Sequence, residues 1–351
     1  MSKRKKIKAS VIDVFCGAGG LSYGFVLEGF SIAAGIDIDE ACRYPFEKNN
    51  QAKFIRRSVS TLKAREVKAL FLSRVPRILV GCAPCQPFST YKQKHHDPKW
   101  RLLSDFGRLI DRVRPDVISM ENVPRLLKYR GGRLFRNFVS RLRGAGYHVA
   151  WNVLYCPDFG VPQMRSRLVL VASRFGPITM PKPTRKPANY RTVANAIRKM
   201  SELDAGSIDE SDLLHRASRL SPLNLRRMRA ARPGGTWQDW SEILVAGCHK
   251  RNTGKRYFAV YGRMPWNQPS PTITTEFYGF GSGRFGHPQQ DRAISLREGA
   301  LLQGFPRGYE FTRPNEPVRF KSVGRLVGNA VPVDLARAIA RSVKAHLKEY
   351  A

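Results

Sequence analysis

Over its first half the chain gathers apolar residues into short runs separated by segments with a helical repeat. The runs are Ser10–Phe15, Ser31–Ile36, Arg77–Val80, Val117–Met120, Tyr147–Leu154 and Arg167–Ala172. Runs of that length, bounded by turn residues, suit strands covered on both faces of a sheet. Leu21–Glu28, Leu102–Arg112 and Leu134–Arg143 space their apolar positions three and four apart, as helices do. Strands and helices alternating in this way predict an α/β fold with a doubly wound sheet.

The rhythm stops after Ser173. Pro177, Pro181, Pro183 and Pro187 crowd a linker-like stretch, and regular alternation resumes only near residue 320. Within the interruption, His215–Pro233 carries Arg216, Arg219, Arg226, Arg227, Arg229 and Arg232, and residues 223–232 read as an Arg-rich helix. A Gly328-Asn329 turn then leads into a helix over Val333–Lys348, with Leu335, Ile339, Val343 and Leu347 on one face. The expected layout is a large domain over residues 9–176 and 318–351, a smaller domain inserted at 177–317, and a basic tail at 1–8.

Charge sharpens this picture. Lys and Arg number 61 against 27 Asp and Glu, a net charge of +34 over 351 residues. Such a surplus favours a polyanionic partner, because Lys and Arg neutralise phosphates with release of condensed counterions. No apolar run is long enough to span a membrane, and the N-terminal basic segment lacks the apolar stretch of a signal peptide. Six cysteines in a chain of this length form no disulfide framework, which points to a reducing, intracellular setting.

Two local patterns carry candidate chemistry. The first strand ends in Cys16-Gly17-Ala18-Gly19-Gly20, a turn that lets backbone approach a ligand closely, and Asp37 closes the second strand, where a carboxylate can hold ribose hydroxyls. Alone, this fits any adenosine-bearing cofactor, or simply a tight turn beside an exposed acid; the glycine spacing is not the dinucleotide pattern. The second pattern is Gly81-Cys82-Ala83-Pro84-Cys85-Gln86-Pro87-Phe88-Ser89. Zinc would need further ligands, and no second Cys pair follows at knuckle spacing. A redox dithiol would leave the glycine turn unexplained.

Taken in order, Asp13-Val-Phe-Cys-Gly-Ala-Gly-Gly-Leu-Ser22, Pro84-Cys85-Gln86, Glu121-Asn122-Val123, Gln163-Met-Arg165-Ser-Arg167, the segment from His287 through Arg297-Glu298 to Gln303-Gly-Phe-Pro306, and Gly328-Asn329-Ala330-Val-Pro332 resemble the motif series of the bacterial-type cytosine-5 DNA methyltransferases. The resemblance spans roughly residues 10–173 and 270–345. It implies a Rossmann-like domain binding S-adenosylmethionine, with a smaller inserted target-recognition domain. Phe15 and Ile38 would flank the adenine, Gly17, Ala18, Gly19, Gly20 and Leu21 would line the methionine part, and Asp37 would take the ribose. Pro84, Asn329 and Ala330 would complete the pocket. Ser58 stands where the family commonly has an Asp for the adenine amino group, and Leu326 where it usually has Gln.

The resemblance also implies the chemistry. Carbon 5 of cytosine is a poor nucleophile until a thiolate adds at carbon 6, which is covalent catalysis. Cys85 would be that nucleophile, and Glu121 the acid at ring nitrogen 3. Arg167 would bind the exocyclic oxygen, with Arg165 supporting Glu121 and a phosphate. Cys82 would be strand-end packing, and no metal is called for. A base inside a duplex must be flipped out to react. Gln86, Ser89, Arg226, Arg227, Arg229, Lys250, Arg251, Thr272 and Thr274 are the candidates for DNA contact, while Trp237 and Trp240 read as small-domain core. The expected protein is a monomer that methylates a specific sequence in double-stranded DNA, in a bacterial cytoplasm and at the nucleoid, beside a cognate restriction endonuclease acting separately or as an orphan. Alternatives of the same fold are a tRNA cytosine-5 methyltransferase and a non-catalytic DNA-binding regulator.

Overall fold

A computed structural model describes residues 7–84 and 98–350. Cys85, Gln86 and Ser89 therefore lie outside the described residues, as does most of the basic tail. The described chain divides into two compact units. One takes the described residues of Met1–Phe159, Ser166–Thr184 and Ala330–Ala351; the other takes Gly160–Arg165 and Arg185–Asn329. The long segment of the second unit thus covers 185–329, and the short segment 160–165 joins it from between the strands His148–Tyr155 and Ser166–Ser173.

The first unit is built on seven strands: β1 (Ser10–Val14), β2 (Ser31–Asp37), β3 (Lys53–Arg56), β4 (Arg77–Gly81), β5 (Val117–Asn122), β6 (His148–Tyr155) and β7 (Ser166–Ser173). Their order across the sheet is β3-β2-β1-β4-β5-β7-β6. β1 to β5 run parallel, and β7 is antiparallel to both neighbours. The order reverses between β1 and β4, the switch point at which open α/β sheets bind their ligands. β3 was not among the expected runs. At four residues, reading Lys-Phe-Ile-Arg, it is too short and too polar to announce itself.

Helices α1 (Gly20–Leu27), α2 (Arg43–Asn50), α3 (Ala64–Leu70), α4 (Arg101–Val113) and α5 (Arg133–Gly144) connect the strands. Ile12, Val14, Leu79, Ile118, Met120, Leu168 and Leu170 meet Phe106 of α4 and Phe138 and Leu142 of α5 in the main core. The C-terminal helix α11 (Val333–Tyr350) packs on α1, and the approach is close enough to require glycine. A Cβ on Gly24 would lie 2.4 Å from the Ala336 Cβ.

The second unit has little regular structure: α6 (Val193–Ile197), a two-stranded sheet of β8 (Ile208–Asp209) and β9 (Asp212–Arg216), α7 (Pro222–Ala230), α8 (Gly247–Lys250), α9 (Leu296–Leu302) and α10 (Phe320–Asn329). Buried ion pairs and small aromatic clusters hold it. Arg292 meets Glu298 at 2.7 and 2.8 Å with both groups fully buried. Arg263 donates to the carbonyls of Met228, Ala231, His287 and Gln290. Trp237 and Trp240 are core, as expected, and Trp237 stacks on His249 at 4.5 Å. The Gly328-Asn329 turn proves to be the last turn of α10. A Cβ on Gly324 would meet the Tyr278 ring and one on Gly328 the Thr274 carbonyl, each at 2.5 Å, so tertiary packing places glycines that propensity alone would keep out of a helix.

Candidate active site

The turn after β1 is shaped by positive backbone angles. Phe15 (φ 60°), Gly17 (φ 52°) and Gly19 (φ 90°) all lie in the left-handed region, which costs little at glycine but strains Phe15. Asp37, at the end of β2, clamps this turn: Oδ2 accepts from the Gly17 N–H at 3.0 Å and Oδ1 from the Asp39 N–H at 3.0 Å. Burial nonetheless raises the Asp37 pKa, with those backbone bonds partly offsetting it. Among the described residues nothing lies within 4 Å of where a Gly17 Cβ would be, so the described part of the turn has room beside it. Ile38 is 61% exposed beside it, an apolar side chain without cover. Phe15 is half-buried against Phe106, and Ala18, Gly20 and Leu21 are buried at the start of α1. A cradle with a carboxylate for hydroxyls, an apolar platform and bare backbone fits an adenosine-bearing cofactor. Ser58 caps the short turn Val59–Thr61, its hydroxyl shared with the Ser60 hydroxyl at 2.7 Å.

At the same sheet edge, β4 and β5 are parallel neighbours with Gly81 opposite Met120, which sets Cys82 beside Glu121. Glu121 is only 2% exposed. Its Oε1 lies 2.8 Å from Arg167 Nε, and its Oε2 accepts from the Cys82 thiol at 2.7 Å. Arg167 reaches it from the start of β7, the antiparallel strand on the far side of β5. Asn122 donates to the Ala83 carbonyl at 3.0 Å and accepts from the Val123 N–H at 2.9 Å. Glu-Asn-Val is therefore one acid held between an ion pair and a thiol donor, its Oε1 accepting no hydrogen bond, followed by an amide that pins the chain just before half-buried Pro84.

Sequence reasoning missed Cys82. Strand-end packing was expected; the structure makes it a hydrogen-bond donor to the central carboxylate. The signal was positional, since it follows a strand whose parallel neighbour carries Glu121. The two arginines of Gln-x-Arg-x-Arg also part company. Arg167 belongs to the first unit, while Arg165 belongs to the second, donating to Ile273 O at 3.0 Å and Gln163 Oε1 at 3.3 Å. Gln163 in turn accepts from the Ile273 N–H and donates to Gln303. Asn329 is the exposed last residue of α10, and Ala330, next in the chain, is buried.

Several candidate DNA contacts have internal duties. Arg227 donates to the Leu244 carbonyl at 2.7 Å and lies over the Tyr261 ring. Arg229 pairs with Asp291 at 3.2 Å, and Lys250 stands 3.8 Å from Glu242. The Thr272 hydroxyl donates to the Met164 carbonyl. Arg226, Arg251 and Thr274 are exposed. Among the described residues no cluster of His, Cys, Asp and Glu could hold a metal ion, and no helix is long and apolar enough to cross a membrane.

A doubly wound sheet with the Asp37-clamped glycine turn on one side of its switch point and the buried Glu121 carboxylate on the other defines an α/β domain of the kind that binds its ligand at the carboxyl edge of the sheet. A model of the C-5 cytosine-specific DNA methylases matches residues 9–345, and the chain belongs to that family: it is a DNA cytosine-5 methyltransferase. The Type II methylase M.HgiDII of Herpetosiphon aurantiacus is 52% identical over 340 residues, 97% of this chain and 96% of its own. The Type II methyltransferase M1.HphI of Haemophilus parahaemolyticus is 31% identical over 342 residues, 95% and 86% of the two chains. Among solved structures, an E. coli prophage-encoded DNA modification methyltransferase aligns with a TM-score of 0.75 over 97% of this chain and 99% of its own, at 21% identity, a likeness of fold.

Proposed function

We propose that this enzyme methylates carbon 5 of a cytosine within a specific sequence of double-stranded DNA, using S-adenosylmethionine, as the modification arm of a type II restriction system. The observation that carries the site assignment is Glu121, buried at the end of β5 between Arg167 and Cys82 and two strands from the Gly17–Gly20 turn. The cytosine leaves the duplex and enters this edge. The Cys85 thiolate adds to carbon 6, Glu121 supplies a proton to nitrogen 3, and Arg167 holds the exocyclic oxygen. Asp37 and Ile38 would hold the adenosine half of the cofactor, which when bound would supply the methyl group for carbon 5. A base then takes the carbon 5 proton, nitrogen 3 returns its proton to Glu121, and the Cys85 thiolate leaves as the ring regains aromaticity.

The net charge of +34 supports a DNA partner. Arg226, Arg251 and Thr274, exposed on the second unit, are the foremost contacts, and phosphate is the expected target for most of the basic ones. The enzyme acts as a monomer in the bacterial cytoplasm, at the nucleoid, with any restriction endonuclease acting separately.

Cys85→Ser should abolish methyl transfer while leaving DNA affinity within a few-fold of the parent. DNA carrying 5-fluorocytosine should trap a denaturant-stable protein–DNA adduct, because fluorine cannot depart as a proton. Methylation retained by the Cys85 variant would overturn the assignment, and transfer of label to tRNA instead of DNA would overturn the substrate. Bisulfite sequencing of a host genome expressing the enzyme gives the recognition sequence.

A further inference from the structure

We propose that Cys82 is a positioning residue of this reaction, acting through Glu121, a reading that rests on the assignment of Glu121 made above. A lone carboxylate at the end of a side chain turns freely, and its two oxygens are equivalent. Here they are not. Arg167 Nε lies 2.8 Å from Oε1 as an ion pair without hydrogen-bond geometry, while the Cys82 thiol donates to Oε2 at 2.7 Å, so the thiol is the directional contact that orients the carboxylate. The two contacts come from β7 and from the residue just after β4, the strands flanking β5, so the sheet itself sets their separation. The Asn122 bond to the Ala83 carbonyl ties down the chain immediately after Cys82, which keeps the thiol in register.

A carboxylate has about four lone-pair sites, and one donated hydrogen bond leaves the others for the cytosine edge. Nitrogen 3 can share a proton with Glu121 only when that oxygen meets the ring in its plane, so loss of one donor should cost rate and leave binding alone. A thiol suits the position because it is a weak donor: it orients the carboxylate without competing as strongly as a second guanidinium for the charge that must meet nitrogen 3. The same bond separates the two cysteines of Cys82-Ala-Pro-Cys85. A thiol donating to a carboxylate retains its proton and is no nucleophile, since nucleophilic sulfur is thiolate.

The test compares Cys82→Ala, which removes the donor, with Cys82→Ser, which keeps one of similar size, in the full-length enzyme. Cys82→Ala should slow single-turnover methyl transfer by about tenfold, the scale of one hydrogen bond to a charged group, with the Kd for DNA and the KM for S-adenosylmethionine unchanged within about twofold. Cys82→Ser should restore the rate to within about threefold of the parent. Adduct formation on DNA containing 5-azacytosine should be nearly unaffected in Cys82→Ala, because nitrogen at position 5 makes carbon 6 electrophilic enough to need less help at nitrogen 3. An Ala variant as fast as the parent, a Ser variant as slow as Ala, or an equal defect on both bases would each overturn the proposal. If Cys82→Ala does not fold, infrared spectroscopy decides. The parent-minus-Cys82→Ser difference spectrum should show an S–H stretch below the free-thiol frequency, returning toward it in Glu121→Gln; a free-thiol band in the parent would overturn the proposal. Failure here is distinct from failure of the site assignment, which Cys85→Ser tests by itself.

Discussion

At the scale of single residues the site is a set of carboxylates placed by neighbours of opposite demand. Asp37 is held by two backbone N–H groups, Glu121 by a guanidinium and a thiol. Glu121→Gln tests the second arrangement. An amide has one acceptor and one donor face, so it cannot accept from both Arg167 and Cys82; one of the two contacts becomes donor against donor. It also cannot give a proton to nitrogen 3. Methyl transfer in a single turnover should fall by about 10²–10⁴-fold, the usual weight of a positioned acid, while DNA affinity stays within a few-fold. A Gln variant within tenfold of the parent would show that nitrogen 3 is served by another group. Residues of this kind were legible by type and spacing, because a motif fixes which side chains occur together. Cys82 was not, because its role depends on strand register, which no local pattern carries.

At the scale of elements, the strands that carry the site were legible and the helices that support it were less so. A buried strand shows as an apolar run whatever its neighbours do. β3 escaped because it is short and half polar, and α10 because it contains two glycines. Those glycines are explained only by what they touch, Tyr278 and Thr274. The α1–α11 crossing offers a test of the same principle with a decided sign. On an exposed helix, Gly→Ala stabilises by about 1 kcal/mol through propensity. At Gly24 the added methyl would lie 2.4 Å from the Ala336 Cβ and 2.7 Å from the Ala336 carbonyl carbon and the Arg337 nitrogen. Overpacking of that severity costs about 1–3 kcal/mol, so steric cost should win. Gly24→Ala should lower the urea midpoint at unchanged slope, and Ala336→Gly in the same chain should recover part of the loss, since it relieves the side-chain clash but not the backbone one. A midpoint raised by Gly24→Ala would mean that the helices can separate without cost.

At the scale of the whole molecule, the buried Asp13 of the first unit and the buried His287 and Glu298 of the second have pKa shifts of opposite sign, although burial also lowers the His346 pKa in the first unit. In the first, burial pushes the Asp13 carboxyl up from 3.8 to about 7, only partly offset by the Ser22 hydroxyl that donates to it at 2.7 Å. A raised folded-state value means the folded chain binds the proton more tightly than the unfolded one. Its contribution is complete below pH 3.8 and is lost as pH rises through 7, on the order of 4 kcal/mol in all. In the second unit, burial pushes the His287 ring down from 6.5 to about 4, against the attraction of Glu298. Burial also pushes Glu298 up, but the Arg292 guanidinium overcomes this and holds it at about 2, below its usual 4.5. Both folded-state values are depressed, so this contribution is present above pH 6.5 and is lost as pH falls toward 4 and then 2. Acidification from pH 8 to pH 5 should therefore strengthen the first unit through Asp13, with His346 opposing in part, and weaken the second through His287. Trp266 packs edge-on against His287 with ring centres 5.2 Å apart, and Trp151 lies on β6 against Phe135, so single-tryptophan variants retaining one or the other report each unit separately. The urea midpoint read at Trp266 should fall between pH 8 and pH 5 while that read at Trp151 rises. His287→Gln should flatten the first trend and Asp13→Asn the second. Midpoints that move together in both variants would show that the two units unfold as one, with these buried groups too weakly coupled to folding to set its pH dependence.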